Sequence, residues 1–240
     1  MRLKTVALAL FLMAACLPAY GQIISTSASE DTSGESKVQY HFMAGFASWD
    51  FEVPPEQDFV FDVSSATGPI VAADFTFNTA GSWSYGVGGW FATTDGDVSY
   101  GDLNPTTFSG TFDFELEQYS VYGSVNWKWL GLQLGWIPTK QSFKNDVCTF
   151  GCLPDPDDSF KTDDLNAYLT GSFGKGRFSG SAGLGMYSFD GDENVESGFA
   201  TGSVKIAKGW RAEASAWYIG ETDFGDDSAL RLTLGVGYQF

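Results

Sequence analysis

The chain has 240 residues and a mass of 26.0 kDa, with 13 Lys and Arg against 30 Asp and Glu, a formal charge of −17 and a pI near 4.1. That balance excludes a nucleic-acid binder, because neutralising phosphates and releasing their counterions takes basic groups. An acidic disordered chain is excluded too, since such chains are poor in aromatics and here they make up 16% of the residues.

The N-terminus reads as an export address. Arg2 and Lys4 precede a ten-residue apolar run, 6–15, too short to span a bilayer, and Ala19-Tyr20-Gly21 offers a small-x-small cleavage site. Residues 1–21 are therefore expected to be a signal peptide, 22–36 a short periplasmic segment and 37–240 the folded domain. The competing reading is a lipoprotein, in which Met13-Ala14-Ala15 precedes a lipidated Cys16. Cleavage after Gly21 leaves 11 basic residues against 30 acidic, a charge of −19, and only Cys148 and Cys152 among the cysteines. An exported C-x3-C pair in a Pro/Asp-rich stretch with no histidine nearby predicts a small disulfide rather than metal ligands.

Beyond residue 36 the dominant signal is period-two alternation. Tyr119, Val121, Gly123, Val125 and Trp127 alternate with Ser120, Tyr122, Ser124, Asn126 and Lys128. The same holds for Leu165 to Phe173, Phe178 to Met186, Trp210 to Tyr218 and Leu230 to Phe240. Each apolar stripe is about the 9–11 residues that a tilted strand needs to cross a bilayer. Aromatics such as Trp83, Trp127, Trp129, Phe173, Phe178, Trp210 and Tyr238 gather at the stripe ends, the pattern of interfacial girdles. The alternation predicts ten strands, over 37–49, 70–79, 82–94, 107–129, 131–138, 163–174, 177–189, 198–207, 210–220 and 228–240, with eight and twelve as the neighbouring counts. Within 107–129 the apolar residues change from even positions (Phe108, Phe112, Phe114, Leu116) to odd ones, which predicts a bulge near Glu117-Gln118 that flips the faces.

Connectors alternate between short (near 79–81, 130–131, 174–176 and 207–209) and long (50–69, 95–106, 138–163, 189–198 and 220–228). The long ones hold 21 acidic residues and three basic ones, Lys140, Lys144 and Lys161. At the opposite rim stand Lys128, Lys175, Arg177, Lys205, Lys208 and Arg211. These features predict an all-β, transmembrane, antiparallel up-and-down barrel with both termini periplasmic and acidic loops outside.

The signal peptide, the alternating strands and the C-terminal Leu-x-Val-x-Tyr238-x-Phe240 together resemble the small outer-membrane β-barrel proteins of Gram-negative-type bacteria. That resemblance implies an outer-membrane location, contact with lipid and lipopolysaccharide, and a C-terminal signal at Tyr238 and Phe240 read by the barrel-assembly machinery. It also implies, for the enzymatic members such as omptin-like proteases, a catalytic His paired with Asp, Ser or Glu. The sequence has one histidine, His41, placed in the first strand with Gln39 and Met43 on the inward face, and no adjacent Asp-His or His-x-Ser pair. A lumen histidine in a polar network is the expectation.

Three functional readings follow: a non-enzymatic, porin-like barrel that is gated, occluded or structural; an adhesion or ligand-binding surface barrel; and an outer-membrane hydrolase. No cofactor is expected. The loop acids Asp190, Asp192, Glu193, Asp223, Asp226 and Asp227 are expected to form a solvated acidic surface, with weak Ca²⁺ or Mg²⁺ binding as the alternative, and 190–201 lacks the Gly and Glu of an EF-hand loop. In the lumen, a tight turn at 207–209 places Lys205 opposite Arg211 with Glu213 diagonal to Lys205, which predicts an ion-pair plug of Glu213 between the two cations. The glycine pairs Gly86/Gly88, Gly183/Gly185 and Gly235/Gly237, mid-strand and without a following helix, are expected either to keep the lumen open or to let Tyr122, Tyr168, Tyr187 and Trp217 fill it. Oligomeric state is not legible.

Overall fold

The computed structural model describes residues 37–52, 59–63, 65–79, 81–102, 109–148, 159–189, 193–220 and 228–240, and among them the only regular elements are strands. In chain order these are β1 (Lys37–Glu52), β2 (Phe59–Val63), β3 (Ala66–Asn78), β4 (Trp83–Asp102), β5 (Ser109–Trp127), β6 (Leu130–Cys148), β7 (Ser159–Lys175), β8 (Phe178–Phe189), β9 (Glu193–Lys205), β10 (Trp210–Ile219) and β11 (Ser228–Gln239). All except β2 form a closed antiparallel ring of ten, sealed where β11 pairs with β1 from His41 opposite Gln239 to Glu52 opposite Ser228. The short β2 pairs only with the far end of β4, Phe59 opposite Asp102. The signal peptide and the segment 22–36 lie outside the described residues.

The ring follows from the alternation, because a sheet whose outward face is apolar and whose edges are paired leaves no backbone group without a partner. Outward side chains are exposed, Leu184 at 77% and Leu234 at 68%, while their neighbours Gly183 and Thr233 are buried. Outward aromatics mark two levels. Trp83, Trp127, Trp129, Phe173, Phe178 and Trp210 ring the short-turn end, and Phe91, Tyr119, Trp136 and Tyr218 stand higher, with Phe91 opposite Tyr119. On β4, Trp83 and Phe91 bound a stretch of nine residues, close to the length that a tilted strand needs for a hydrocarbon core.

Above the upper level the strands continue where connectors were expected. Residues 95–102 belong to β4, 139–148 to β6, 159–162 to β7 and 66–69 to β3. The physical reason is an inversion of environment. In the band the outward face is apolar and the inward one largely polar. Above it the outward face carries Thr111, Asp113, Glu115 and Glu117, while Val98, Tyr100, Phe112, Phe114, Leu116 and Phe143 are buried inside. Their polar neighbours made these stretches look like loops.

The same inversion corrects the bulge expected near Glu117-Gln118. Phe112, Phe114, Leu116, Gln118, Ser120 and Tyr122 are all buried on one uninterrupted face of β5. Pairing to β4 and β6 passes through Glu117 and Gln118 without a shift; the irregularity lies higher, between Thr111 and Asp113. Glu117 instead points outward to Lys140 of β6, 3.3 Å away, an exposed pair of small energetic weight. One short turn also moves. Lys128-Trp129 makes the β5–β6 turn with Lys128 at φ 56°, not Leu130-Gly131, because Gly131 is packed against the Asn126 and Thr170 side chains inside β6.

Both ends of the ring meet at the short-turn rim. The Phe240 N–H donates to the Tyr40 carbonyl at 2.9 Å, and the rings of Phe42 and Phe240 (5.9 Å) pack edge-to-face across the seam, continued by Tyr238 on Phe240 (4.6 Å) and by Trp210 of β10 on Tyr238 (5.0 Å).

The two environments of the outward face give a direct test. Leu234→Arg, inside the apolar band, is expected to cost about 2–4 kcal/mol in refolding titrations in lipid vesicles. Thr111→Arg, outward on the projecting part of β5, is expected to stay within about 0.5 kcal/mol. Equal costs at the two positions would place the band elsewhere.

Candidate functional site: the barrel interior

Inward residues stack in layers from the short-turn rim upward. Nearest the rim, the Arg211 guanidinium donates to Ser203 Oγ from Nε (3.0 Å) and Nη2 (2.7 Å), to Ser179 Oγ and, more weakly, to Gln239 Oε1 (3.4 Å). Hydroxyl pairs Ser179–Ser203 (2.9 Å) and Ser181–Thr201 (2.8 Å) bridge β8 and β9 beside it.

The next layer holds the only histidine. His41 Nδ1 lies 3.2 Å from Asp74 Oδ2 on β3, and His41 Nε2 lies 2.7 Å from Glu213 Oε1 on β10. Glu213 reaches His41 by crossing β11, which separates β10 from β1. It can do so because β11 carries glycine there: a Cβ on Gly237 would stand 2.5 Å from both Glu213 Oε1 and His41 Nε2. Gly88 plays the equivalent part on β4, facing the Asp74 carboxylate and the Tyr122 hydroxyl.

This arrangement corrects the expected plug. Arg211 does stand opposite Lys205 in the β9–β10 register. Glu213, however, is taken by His41, Arg211 is satisfied by hydroxyls and an amide, and the Lys205 side chain is exposed at the rim. The cause is reach: the gap over Gly237 brings the histidine within hydrogen-bond distance of Glu213. Asp74 was not singled out from the sequence, although its inward parity between Ala72 and Thr76 was readable.

At mid-height the layer is aromatic around a cation. Arg231, 1% exposed, is the direct cross-strand partner of Trp49 on one side and Trp217 on the other. Its guanidinium carbon lies 5.3 Å from the Trp49 ring centre, 5.7 Å from Trp217 and 4.7 Å from Trp90, which arrives from β4. Cation–π attraction strengthens when such a group is desolvated. Tyr168 packs edge-to-face on Phe199 and Trp217, and its hydroxyl meets Ser197 Oγ at 2.8 Å. Ser197 in turn accepts from Trp217 Nε1 (2.7 Å) and donates to the Tyr218 carbonyl (3.0 Å). Tyr187, also buried, lies 6.1 Å from Trp217. The expectation that Tyr122, Tyr168, Tyr187 and Trp217 fill the interior holds for all four; Arg231, Trp49 and Trp90 complete the layer, and no spacing motif announces them. Gly183, facing the Phe199 ring, shows the expected pairing of small with large.

Among the described residues no group of three or more His, Cys, Asp and Glu side chains is placed to hold a metal ion. Asp190, Asp192, Asp223, Asp226, Asp227 and Cys152 lie outside the described residues, while Glu193 and Cys148 are described only as strand ends, so the cation sites and the disulfide stay sequence expectations.

No family model matches the chain, and no curated protein matches it in sequence. Among solved structures the chain is similar to the outer membrane protease OmpT from Escherichia coli, at 12% identity over 89% of this chain and 100% of that one, with a TM-score of 0.47. It is similar to the translocator domain of the autotransporter NalP from Neisseria meningitidis, at 13% identity over 98% and 96%, with a TM-score of 0.45. It is also similar to Ail, the attachment invasion locus protein of Yersinia pestis, at 16% identity over 85% and 99%, with a TM-score of 0.40. Likeness at this level says nothing about chemistry, and the ring closure rests on this chain's own strand pairing.

The His41 layer makes a non-additivity prediction. Gly237→Ala is expected to destabilise the native barrel by displacing the His41–Glu213 pair, and to cost clearly less in a Glu213→Ala background. The His41→Ala and Glu213→Ala changes should couple by about 0.5–3 kcal/mol in a double-mutant cycle. Equal costs of Gly237→Ala in both backgrounds would remove the steric link between the glycine and the pair.

Proposed function

We propose that the protein is a non-enzymatic outer-membrane barrel with an occluded lumen. The observation that carries this reading is Arg231, fully enclosed at mid-height by Trp49, Trp90 and Trp217, with Tyr168 and Tyr187 beside them. A ten-strand ring has room for such side chains and not for a wide channel as well, which takes about sixteen strands. The exposed apolar band between two aromatic levels supports the membrane setting.

The histidine layer supports a structural role over a catalytic one. Both ring nitrogens of His41 are engaged by carboxylates, so neither is left to orient a nucleophile or a water, as general-base chemistry requires. In this reading both termini face the periplasm, Tyr238 and Phe240 present the aromatic C-terminus to the assembly machinery, and the acidic connectors face outward among lipopolysaccharide. There the loop carboxylates, including Glu193, bind Ca²⁺ or Mg²⁺ weakly, and Cys148 and Cys152 close a small disulfide.

Planar-bilayer recording tests the occlusion. The native protein is expected to show small or infrequent openings, and Trp217→Ala larger ones, because it removes one wall of the Arg231 enclosure and the Ser197 contact. A large steady native conductance unchanged by Trp217→Ala would make the protein an open diffusion channel.

A further inference from the structure

Among the described side chains, the short-turn rim carries five exposed cations at three successive turns: Lys128 between β5 and β6, Lys175 and Arg177 between β7 and β8, and Lys205 and Lys208 between β9 and β10. These turns join neighbouring strands, so the charges form one arc over six of the ten ring strands. Among the described side chains in the lower half of those six strands, the one carboxylate is Glu213, which is inward and bound to His41. At one edge of the arc the Gln239 N–H donates to the Gly209 carbonyl at 2.8 Å. The remaining arc, over β11, β1, β3 and β4, shows a different surface. It presents Tyr40, Phe42, Phe75, Phe77, Trp83 and Phe240, its β3–β4 turn has no basic residue, and its one basic residue at this rim is Lys37, which begins β1 opposite Asn78.

The cations sit at the edge of the apolar band. Trp127 faces outward at the lower aromatic level, and Lys128, turned back by its positive φ, holds Nζ 4.9 Å from that ring's centre. Lys175 follows Phe173 on the same outward face of β7. Interfacial aromatics mark the plane of lipid headgroups. Five like charges on one arc repel each other, and the anions that lie in this plane are lipid phosphates.

We propose that the arc from β5 to β10 docks anionic phospholipid headgroups of the leaflet at the short-turn end, leaving the aromatic arc from β11 to β4 to uncharged lipid. The inference rests on the membrane reading above, and its test separates the two. The full protein is reconstituted in phosphatidylcholine vesicles containing a minor fraction of spin-labelled phosphatidylglycerol or spin-labelled phosphatidylcholine, and the association of each with the barrel is read by electron paramagnetic resonance. Phosphatidylglycerol should associate about five-fold more strongly, the ratio equivalent to one basic residue's attraction to an anionic lipid surface. The preference should fall to parity in K128Q/K175Q/R177Q/K205Q/K208Q and partway in K175Q/R177Q, a smaller change that guards against a misfolded variant. Equal association of both lipids with the inserted native protein, or an unchanged preference in the five-site variant, overturns the inference and leaves the membrane reading intact. Loss of the preference on adding millimolar inorganic phosphate at matched ionic strength reassigns the arc to soluble phosphate. Failure to insert into either vesicle overturns the membrane reading, and the inference with it.

Discussion

The pairing of β11 with β1 is the constraint on which the other features depend. A strand that crosses hydrocarbon has no water to receive its N–H and C=O groups, so an open sheet edge there would leave a row of unsatisfied donors and acceptors. The register at the seam runs from His41 opposite Gln239 to Glu52 opposite Ser228 without interruption, so no edge remains among the ring strands. An even number of antiparallel strands then brings the first and last to the same rim, which sets Phe240 beside Tyr40 and Phe42. It also fixes β11 between β10 and β1, the position from which Gly237 opens the path between Glu213 and His41.

Sequence alternation reports the difference between the two sides of the wall, and it is only as informative as that difference is constant. Where the outward face is apolar, Tyr119 to Trp127 and Leu230 to Val236 were readable, and the inward parity of His41, Met43 and Thr233 followed. Above the band the outward face is polar and an aromatic core lies inside, so the apolar stripe of β5 changes phase between Leu116 and Tyr119 while the strand keeps its register. A one-residue bulge and a change of surroundings leave the same trace in a single sequence. The outward Asp95, Asp97 and Ser99 likewise masked the inward Val98 and Tyr100, which made a strand look like a loop.

The interior was legible by face and not by partner. Lys205 opposite Arg211 follows from turn position alone, because it is a nearest-neighbour pairing. The His41–Glu213 contact joins residues 172 apart in sequence and crosses an intervening strand, and Asp74 joins from β3 on the far side of β1. Such contacts depend on wall curvature and on which strand lacks side chains at that height. Neither is a property of local sequence. Arg231 is the opposite case: its two flanking tryptophans are direct cross-strand neighbours, but the third, Trp90, comes from β4, three strands away round the ring.

The two interior layers are held together by different physics. The Arg231 layer is built from large rings around one cation. The His41 layer is built from three titratable groups that satisfy one another; removing one leaves its partner buried without its counter-group, and that cost falls on stability before it falls on passage. Arg211 lies between this layer and the rim, held by hydroxyls that make no demand for a carboxylate, so it leaves Glu213 free for His41. The polar layers therefore set which strands hold together at the short-turn end, while the aromatic layer above them gathers rings from β1, β4 and β10 around Arg231.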